Sequence, residues 1–155
     1  MTEKVITTDL SAARDLIREI IREVEAAGYD KDDCFSIRLA MEEALINAIK
    51  HGNKFDRSRK IHVSTDIDSQ RVEITIADEG EGFDPANVPD PTADENLEKP
   101  CGRGIMLMRA YMDKVIYNDK GNEVRMIKNR FSGLPRIRKT SISISEKSDE
   151  RPLQY

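Results

Sequence analysis

Glu43, Asn47 and His51 recur at intervals of four, the spacing that stacks side chains on one face of a helix. Asn47 offers a neutral amide oxygen, a hard ligand of the kind Mg²⁺ accepts while it keeps waters and phosphate oxygens. Glu43, one turn earlier, is placed to polarise a water or hydroxyl that attacks a phosphate. Glu42 points about 100° away and is less well placed. A second cluster is Ile76-Ala77-Asp78-Glu79-Gly80-Glu81-Gly82-Phe83, an acid at a strand end followed by two glycines. Glycines there cost backbone entropy and contribute no packing. They fit a backbone that must come close to a flat ligand, with Asp78 accepting a hydrogen bond from an exocyclic amine such as that of adenine. The third cluster is Gly102-Arg103-Gly104-Ile105. Closely spaced glycines opening a helix leave free N–H groups and the positive dipole end facing one point, which suits a phosphate. Taken singly, each cluster has a plainer explanation: a solvated helix face, a glycine turn at a strand end, a loop entering a helix. The dinucleotide pattern GxGxxG and the P-loop pattern GxxxxGK[ST] are both absent.

The elements that must hold these residues are readable from periodicity. A β-prone stretch at Val5–Thr8 precedes a helix that starts at Asp9 or Ser11. Ala13, Leu16, Ile17, Ile20, Ile21, Val24 and Ala27 give that helix its buried stripe, and Gly28 sits where a C-cap belongs. Asp30 caps a second helix, with Phe35, Leu39, Leu45 and Ile49 in its stripe, ending at His51-Gly52. Period two then takes over. Ile61, Val63, Thr65 and Ile67, then Val72, Ile74 and Ile76 after a turn at Asp68–Gln70, predict two antiparallel strands. A long loop from Asp78 to Gly102 carries Pro85, Pro89, Pro91 and Pro100, and loops of that length in a domain are usually functional. A short helix around Ile105–Met112 follows, then strands around Val115–Tyr117 and Val124–Ile127 joined by a turn at Asp119–Asn122.

The chain has 155 residues, with 38% hydrophobic and 35% charged. That is one domain's length, able to bury about 69% of its unfolded surface. The balance of 25 basic and 29 acidic residues, net −4, argues against a global attraction to nucleic acid or to anionic membranes. No stretch has the apolar length of a membrane span or a signal peptide, so the expected location is the cytoplasm. Cys34 and Cys101 form no CxxC pair, and neither a disulfide framework nor a structural zinc is expected.

In this order and spacing the three clusters resemble the GHKL ATPase superfamily, whose Bergerat fold is shared by gyrase, MutL-type and histidine-kinase ATP-binding domains. Glu43-x-x-x-Asn47-Ala48-x-Lys50-His51 matches the family's N box. Asp78-x-Gly80-x-Gly82 matches the first glycine box and Gly102-x-Gly104 the second. The stretches Met41–Gly52 and Val72–Asp84 read like the stand-alone anti-sigma factor serine kinases of bacteria, and the resemblance spans roughly Val5 to Asn129. It implies an α+β fold: a two-layer sandwich with a mixed sheet covered by helices on one face. It implies ATP and Mg²⁺ as cofactors, Glu43 as general base, Asn47 as magnesium ligand and Asp78 as adenine anchor. Gly80 and Gly82 would line the nucleotide, Gly102, Arg103, Gly104 and Ile105 would hold phosphates, and Lys50 and His51 would lie near the nucleotide. Arg14, in Ser11-Ala12-Ala13-Arg14, falls where these kinases contact protein partners.

The implied activity is transfer of the ATP γ-phosphate to a Ser of a STAS-domain anti-sigma antagonist, with sequestration of a sigma factor. Relatives of this kind often form homodimers. Met106 stands where some relatives have a third glycine. The lid at Pro85–Cys101 is acidic through Asp90, Asp94, Glu95 and Glu98 against Lys99, which leaves Arg103 to supply positive charge. The alternative is a module that binds a partner, gated by nucleotide or independent of it, without phosphoryl transfer. On this reading residues 1–131 are the ATP-binding kinase domain and residues 132–155 a polar, basic tail. No length remains for a phosphoacceptor-histidine or transducer domain.

Overall fold

The computed structural model describes residues 1–84 and 103–131. The lid at 85–101, Gly102 and the tail at 132–155 lie outside the described residues. The first strand, β1, spans Thr2–Thr7, and the chain turns at once into helix α1, Leu10–Ala26. Asp9 caps α1 by accepting a hydrogen bond from Ser11 N at 2.9 Å. The stripe from Ala13 to Val24 is buried as the periodicity predicts, and Gly28 lies just past the end with φ +89°.

Helix α2, Lys31–Asn47, begins at Asp30, whose carboxylate accepts from Asp33 N at 2.8 Å. Its buried side matches the expected stripe at Leu45 and Ile49 but not at Phe35 and Leu39. Phe35 is 53% exposed and Leu39 half-buried, while Cys34, Ile37, Ala40, Met41, Ala44 and Leu45 fill the core. Phe35 instead meets Tyr111 edge-to-face, ring centroids 5.9 Å apart. After Asn47 the helix widens into a single π turn, Ala48–Gly52, closed by Asn53 N donating to Ala48 O at 2.7 Å.

Strands β2 (Lys60–Ile67) and β3 (Arg71–Asp78) form the expected hairpin. Helix α3 (Arg103–Tyr111) leads into β4 (Lys114–Tyr117) and β5 (Glu123–Asn129). The sheet order is β1-β2-β3-β5-β4, and every pair is antiparallel. The mixed sheet implied by the resemblance is therefore corrected to an antiparallel one. Strands β3 and β4 do run in the same direction, since each opposes β5, but β5 lies between them and no parallel ladder forms.

Directly opposed residues share a face. Val63 with Ile76, Thr65 with Ile74, Ile74 with Met126 and Ile76 with Val124 make the inward face, on which the helices pack. Each fully buried Ile or Met on it contributes roughly 1.5–3 kcal/mol. The same register carries two charged residues onto this face at opposite ends. Asp78 opposes Ile61, and Lys128 opposes Val72. The α+β sandwich is as expected.

Candidate functional site

At the Asp78 end of the sheet the helix and sheet layers part around a cavity of about 350 Å³. Ala44, Ala48, Ile76, Ile105 and Val124 give it apolar walls, and Asn47, His51, Asp78 and Asn122 bring polar atoms into it. This mix of apolar lining and few convergent polar groups is the usual make-up of a small-molecule site.

Asp78 is half-buried, and burial raises its carboxyl above the ordinary value. The shift is opposed by a hydrogen bond from Gly80 N at 2.8 Å and by the charges of Lys120 and Arg59. Its backbone is tied to the β4–β5 turn, with Asp78 N donating to Asn122 O at 2.9 Å and Asn122 Nδ2 donating back to Asp78 O at 3.1 Å. The carboxylate lies so close to Gly52 that a Cβ there would stand 2.2 Å from Oδ2. A Cβ on Gly80 would stand 2.1 Å from the Gly52 carbonyl oxygen. A helix end and a strand end thus meet backbone to backbone.

The glycines also serve a contact that periodicity does not suggest. Gly82 (φ +79°) packs on the Lys120 carbonyl and Gly121 (φ +76°) on the Phe83 carbonyl, and a Cβ at either would come within 1.9 Å. The post-β3 loop and the β4–β5 turn are interlocked. Phe83 stacks edge-to-face on Tyr117 at 5.1 Å, and burial pushes the Tyr117 hydroxyl up to about 12. Asn118 holds the turn by accepting from Gly121 N at 2.8 Å and Asn122 N at 3.0 Å.

Of the helix triplet, Asn47 and His51 line the cavity. Glu43 lies one turn beyond, half-buried, at the entry of α3. A Cβ on Gly104 would be 2.8 Å from Glu43 Oε2 and 3.1 Å from Asn47 Nδ2, so the first turn of α3 sits directly on this pair. Gly82 and Ile105 line the cavity, whereas Gly80 is buried and is not among the lining residues. Lys50 is exposed on the π turn and is not among the lining residues. Arg103 opens α3, and Gly102 lies outside the described residues. Arg14 is exposed on α1, away from the cavity lining. Among the described residues no group of three or more His, Cys, Asp or Glu could hold a metal by itself. An Mg²⁺ bound through one amide oxygen and ligand phosphates needs no such group.

Several residues here carry no chemical signal in sequence. In sequence Gly52 reads as a helix terminus, and nothing marks Asn53. Asn53 is fully buried, and its side chain bonds Thr8 Oγ1, Lys60 O and Glu79 N. The one available signal was a polar residue directly after a helix-ending glycine.

Residues 6–128 match the family described as histidine kinase-like ATPase domain. The serine-protein kinase RsbW of Bacillus licheniformis is 34% identical over 110 residues, covering 65% of this chain and 68% of that protein. The serine-protein kinase RsbW of Bacillus subtilis is 32% identical over the same length and shares of both chains. The anti-sigma F factor of Anoxybacillus flavithermus is 35% identical over 104 residues, covering 63% of this chain and 70% of that protein. Among solved structures, the RsbU and RsbW domains of a Mycobacterium tuberculosis protein superpose with a TM-score of 0.52 at 18% identity, over 84% of this chain and 32% of that one, a likeness of fold. The chain belongs to the histidine kinase-like ATPase domain family, in the group of the anti-sigma serine kinases. Among the described residues no helix is long and apolar enough to cross a membrane.

Proposed function

We propose that this chain is an anti-sigma factor with ATP-dependent protein-serine kinase activity, and that the cavity at Asp78 takes the adenine of ATP. The relatives' names support the activity, and the juxtaposition of Gly104 with Glu43 and Asn47 supports the placement of the chemistry. That juxtaposition brings three things to one point: the N–H groups of a helix start, a carboxylate and an amide oxygen. In the proposed arrangement Asp78 accepts from the adenine amine and Ile76, Ile105 and Val124 flank the base. The α3 N-terminus with Gly102, Arg103 and Gly104 receives the phosphates. Asn47 would hold Mg²⁺, which supplies charge neutralisation when bound. His51 lines the same wall.

Phosphoryl transfer asks the protein for positioning and charge more than for covalent chemistry. A serine hydroxyl of the substrate attacks the γ-phosphorus, the Oγ–P bond forms, and the bond to the β-phosphate oxygen breaks. Glu43 takes the hydroxyl proton. The substrate we assign is a STAS-domain antagonist, and the sequestered partner a sigma factor in the cytoplasm, with exposed Arg14 on a partner-facing surface. Glu43→Ala separates transfer from binding. Incubated with γ-labelled ATP, Mg²⁺ and a STAS-domain protein, the parent should label the protein. The variant should lose at least a hundredfold in rate while ATP affinity stays within about threefold. Equal labelling by both would remove Glu43 from the role. ATP binding without labelling by the parent would leave a nucleotide-gated binding module.

A further inference from the structure

Asn53 joins four separate pieces of chain beneath the cavity. Its backbone N–H donates to Ala48 O at 2.7 Å and closes the π turn. Its side-chain Nδ2 donates to Thr8 Oγ1 at 2.9 Å and to Lys60 O at 3.0 Å, at the β1–α1 junction and the start of β2. Its Oδ1 accepts from Glu79 N at 2.9 Å, immediately after Asp78. Thr8 extends the chain by donating to Arg59 O at 2.8 Å. Asn53 is 0% exposed and Thr8 2%, so neither can exchange these bonds for water. Every donor and acceptor atom on the Asn53 amide except one lone pair is therefore committed.

This placement has a geometric consequence for the acid. Gly52 precedes Asn53, and Glu79 follows Asp78, so the Asn53 Oδ1 bond clamps two adjoining residue pairs side by side. Within the clamp the Asp78 carboxylate lies against the Gly52 backbone, and Gly80 lies against the Gly52 carbonyl. The remaining constraint on the carboxylate is the bond from Gly80 N, two residues on along the same clamped segment. We propose that Asn53 is a positioning residue for nucleobase selection: through Glu79 N it fixes the Asp78 carboxylate where it accepts from the amino group of adenine and repels the carbonyl oxygen of guanine. The inference rests on the reading of Asp78 as adenine anchor.

The two arms of the amide make the role separable from stability. Cutting the Nδ2 arm loosens β1 and β2, whereas cutting the Oδ1 arm releases Glu79 N and leaves Asp78 held by its pairing with Ile61 and its bonds to Asn122, so that the carboxylate loses its clamp while the strand stays in place. Thr8→Val removes the hydroxyl that Nδ2 reaches and leaves the Oδ1···Glu79 bond intact. Asn53→Asp keeps an acceptor for Glu79 N and loses the donors. Asn53→Ala, with Asn53→Ser as the milder cut, loses both arms.

The experiment measures affinities for ATP and GTP, each with Mg²⁺, together with the melting temperature, for the parent and these variants. The parent is expected to prefer ATP. Asn53→Ala or Asn53→Ser should reduce the ATP-over-GTP ratio by roughly tenfold, the lower end of the range for one hydrogen bond to a charged group. Thr8→Val should lower the melting temperature with the ratio unchanged, and Asn53→Asp should retain most of the ratio. A ratio that stays at the parental value in Asn53→Ala or Asn53→Ser overturns the proposal. So does a ratio in Thr8→Val that falls in step with its melting temperature, which would make the network structural only. If both Asn53 truncations fail to fold, the comparison of Thr8→Val with Asn53→Asp decides: loss of the ratio in Asn53→Asp at a melting temperature no lower than that of Thr8→Val overturns it, and retention supports it. A parent that binds neither nucleotide, or binds both equally, contradicts instead the assignment of Asp78 itself.

Discussion

The inward face of the sheet carries an acid environment at each end, and the two are handled in opposite ways. At the Lys128 end, Asp33 is 1% exposed and its partners are complete: Lys128 Nζ stands 3.9 Å from Oδ1, Phe131 N donates to Oδ2 at 3.0 Å, and Lys128 Nζ also donates to Tyr111 O at 3.1 Å. The N-terminus of α2, the C-terminus of α3 and the end of β5 are drawn together there. At the other end Asp78 is half-buried, takes one hydrogen bond from Gly80 N, and opens onto a cavity. Lys120 and Arg59 act on it only at a distance, and burial wins. A buried acid whose partners are complete holds a fold together, whereas one that faces a cavity with acceptor capacity left over is prepared for a ligand.

The comparison breaks most sharply at the closed end. Lys128→Met leaves Asp33 buried without its cation, and removing one partner of a buried pair costs about 3–5 kcal/mol. Urea unfolding should show that loss, while ATP affinity of the remaining folded protein stays at the parental value. A loss below about 1 kcal/mol would mean that the pair is dispensable, and the contrast between the two ends would fall.

A smaller effect sharpens the open end through pH. Because burial raises the Asp78 carboxyl, it protonates at a higher pH than an exposed aspartate. Above that raised value the folded protein carries the full cost of a buried charge, and the cost is relieved as pH falls through it toward the unfolded value. The acceptor proposed for the adenine amine is lost over the same range. Lowering pH through the raised value should therefore weaken ATP binding several-fold while the contribution of Asp78 to stability improves. Glu73 behaves oppositely: a hydrogen bond from Arg125 holds it low, so its contribution persists above the unfolded value and is lost as pH falls through the folded one. Calorimetric ATP titrations across the acid range check the first claim, and a flat affinity profile contradicts it.

Much of this molecule could be read in advance because the signals are local. Helix α1 repeats its apolar residues on a strict rhythm, β2 and β3 alternate cleanly, and Asp9 and Asp30 stand where caps belong. The glycine spacing around Asp78 was legible too, although part of its reason was not. Gly82 and Gly121 are glycines because two turns interlock, and each depends on a residue 38 positions away in sequence, Lys120 and Phe83. Asn53 and the Asp33–Lys128 pair were invisible for the same cause: their partners lie on distant strands and helices. Phe35 misled because apolar character on a helix predicts burial only where the neighbouring layer reaches that face, and here Phe35 lies at its edge against Tyr111. The resemblance implied a mixed sheet, and periodicity, which reports strands one at a time, carries no pairing directions that could correct it. Only the insertion of β5 between β3 and β4 makes every ladder antiparallel.

The open end of the sheet is proposed to be an adenine nucleotide site anchored by Asp78. Calorimetric titration of ATP with Mg²⁺ into the parent and into Asp78→Asn, side by side, tests it most directly. Saturable binding to the parent is expected, with an affinity weaker by roughly ten- to a hundredfold in the variant, the range for a hydrogen bond to a charged group. The variant should melt no lower than the parent, since it no longer buries a charge. Equal affinity in the two proteins, or no binding to a folded parent, would contradict it.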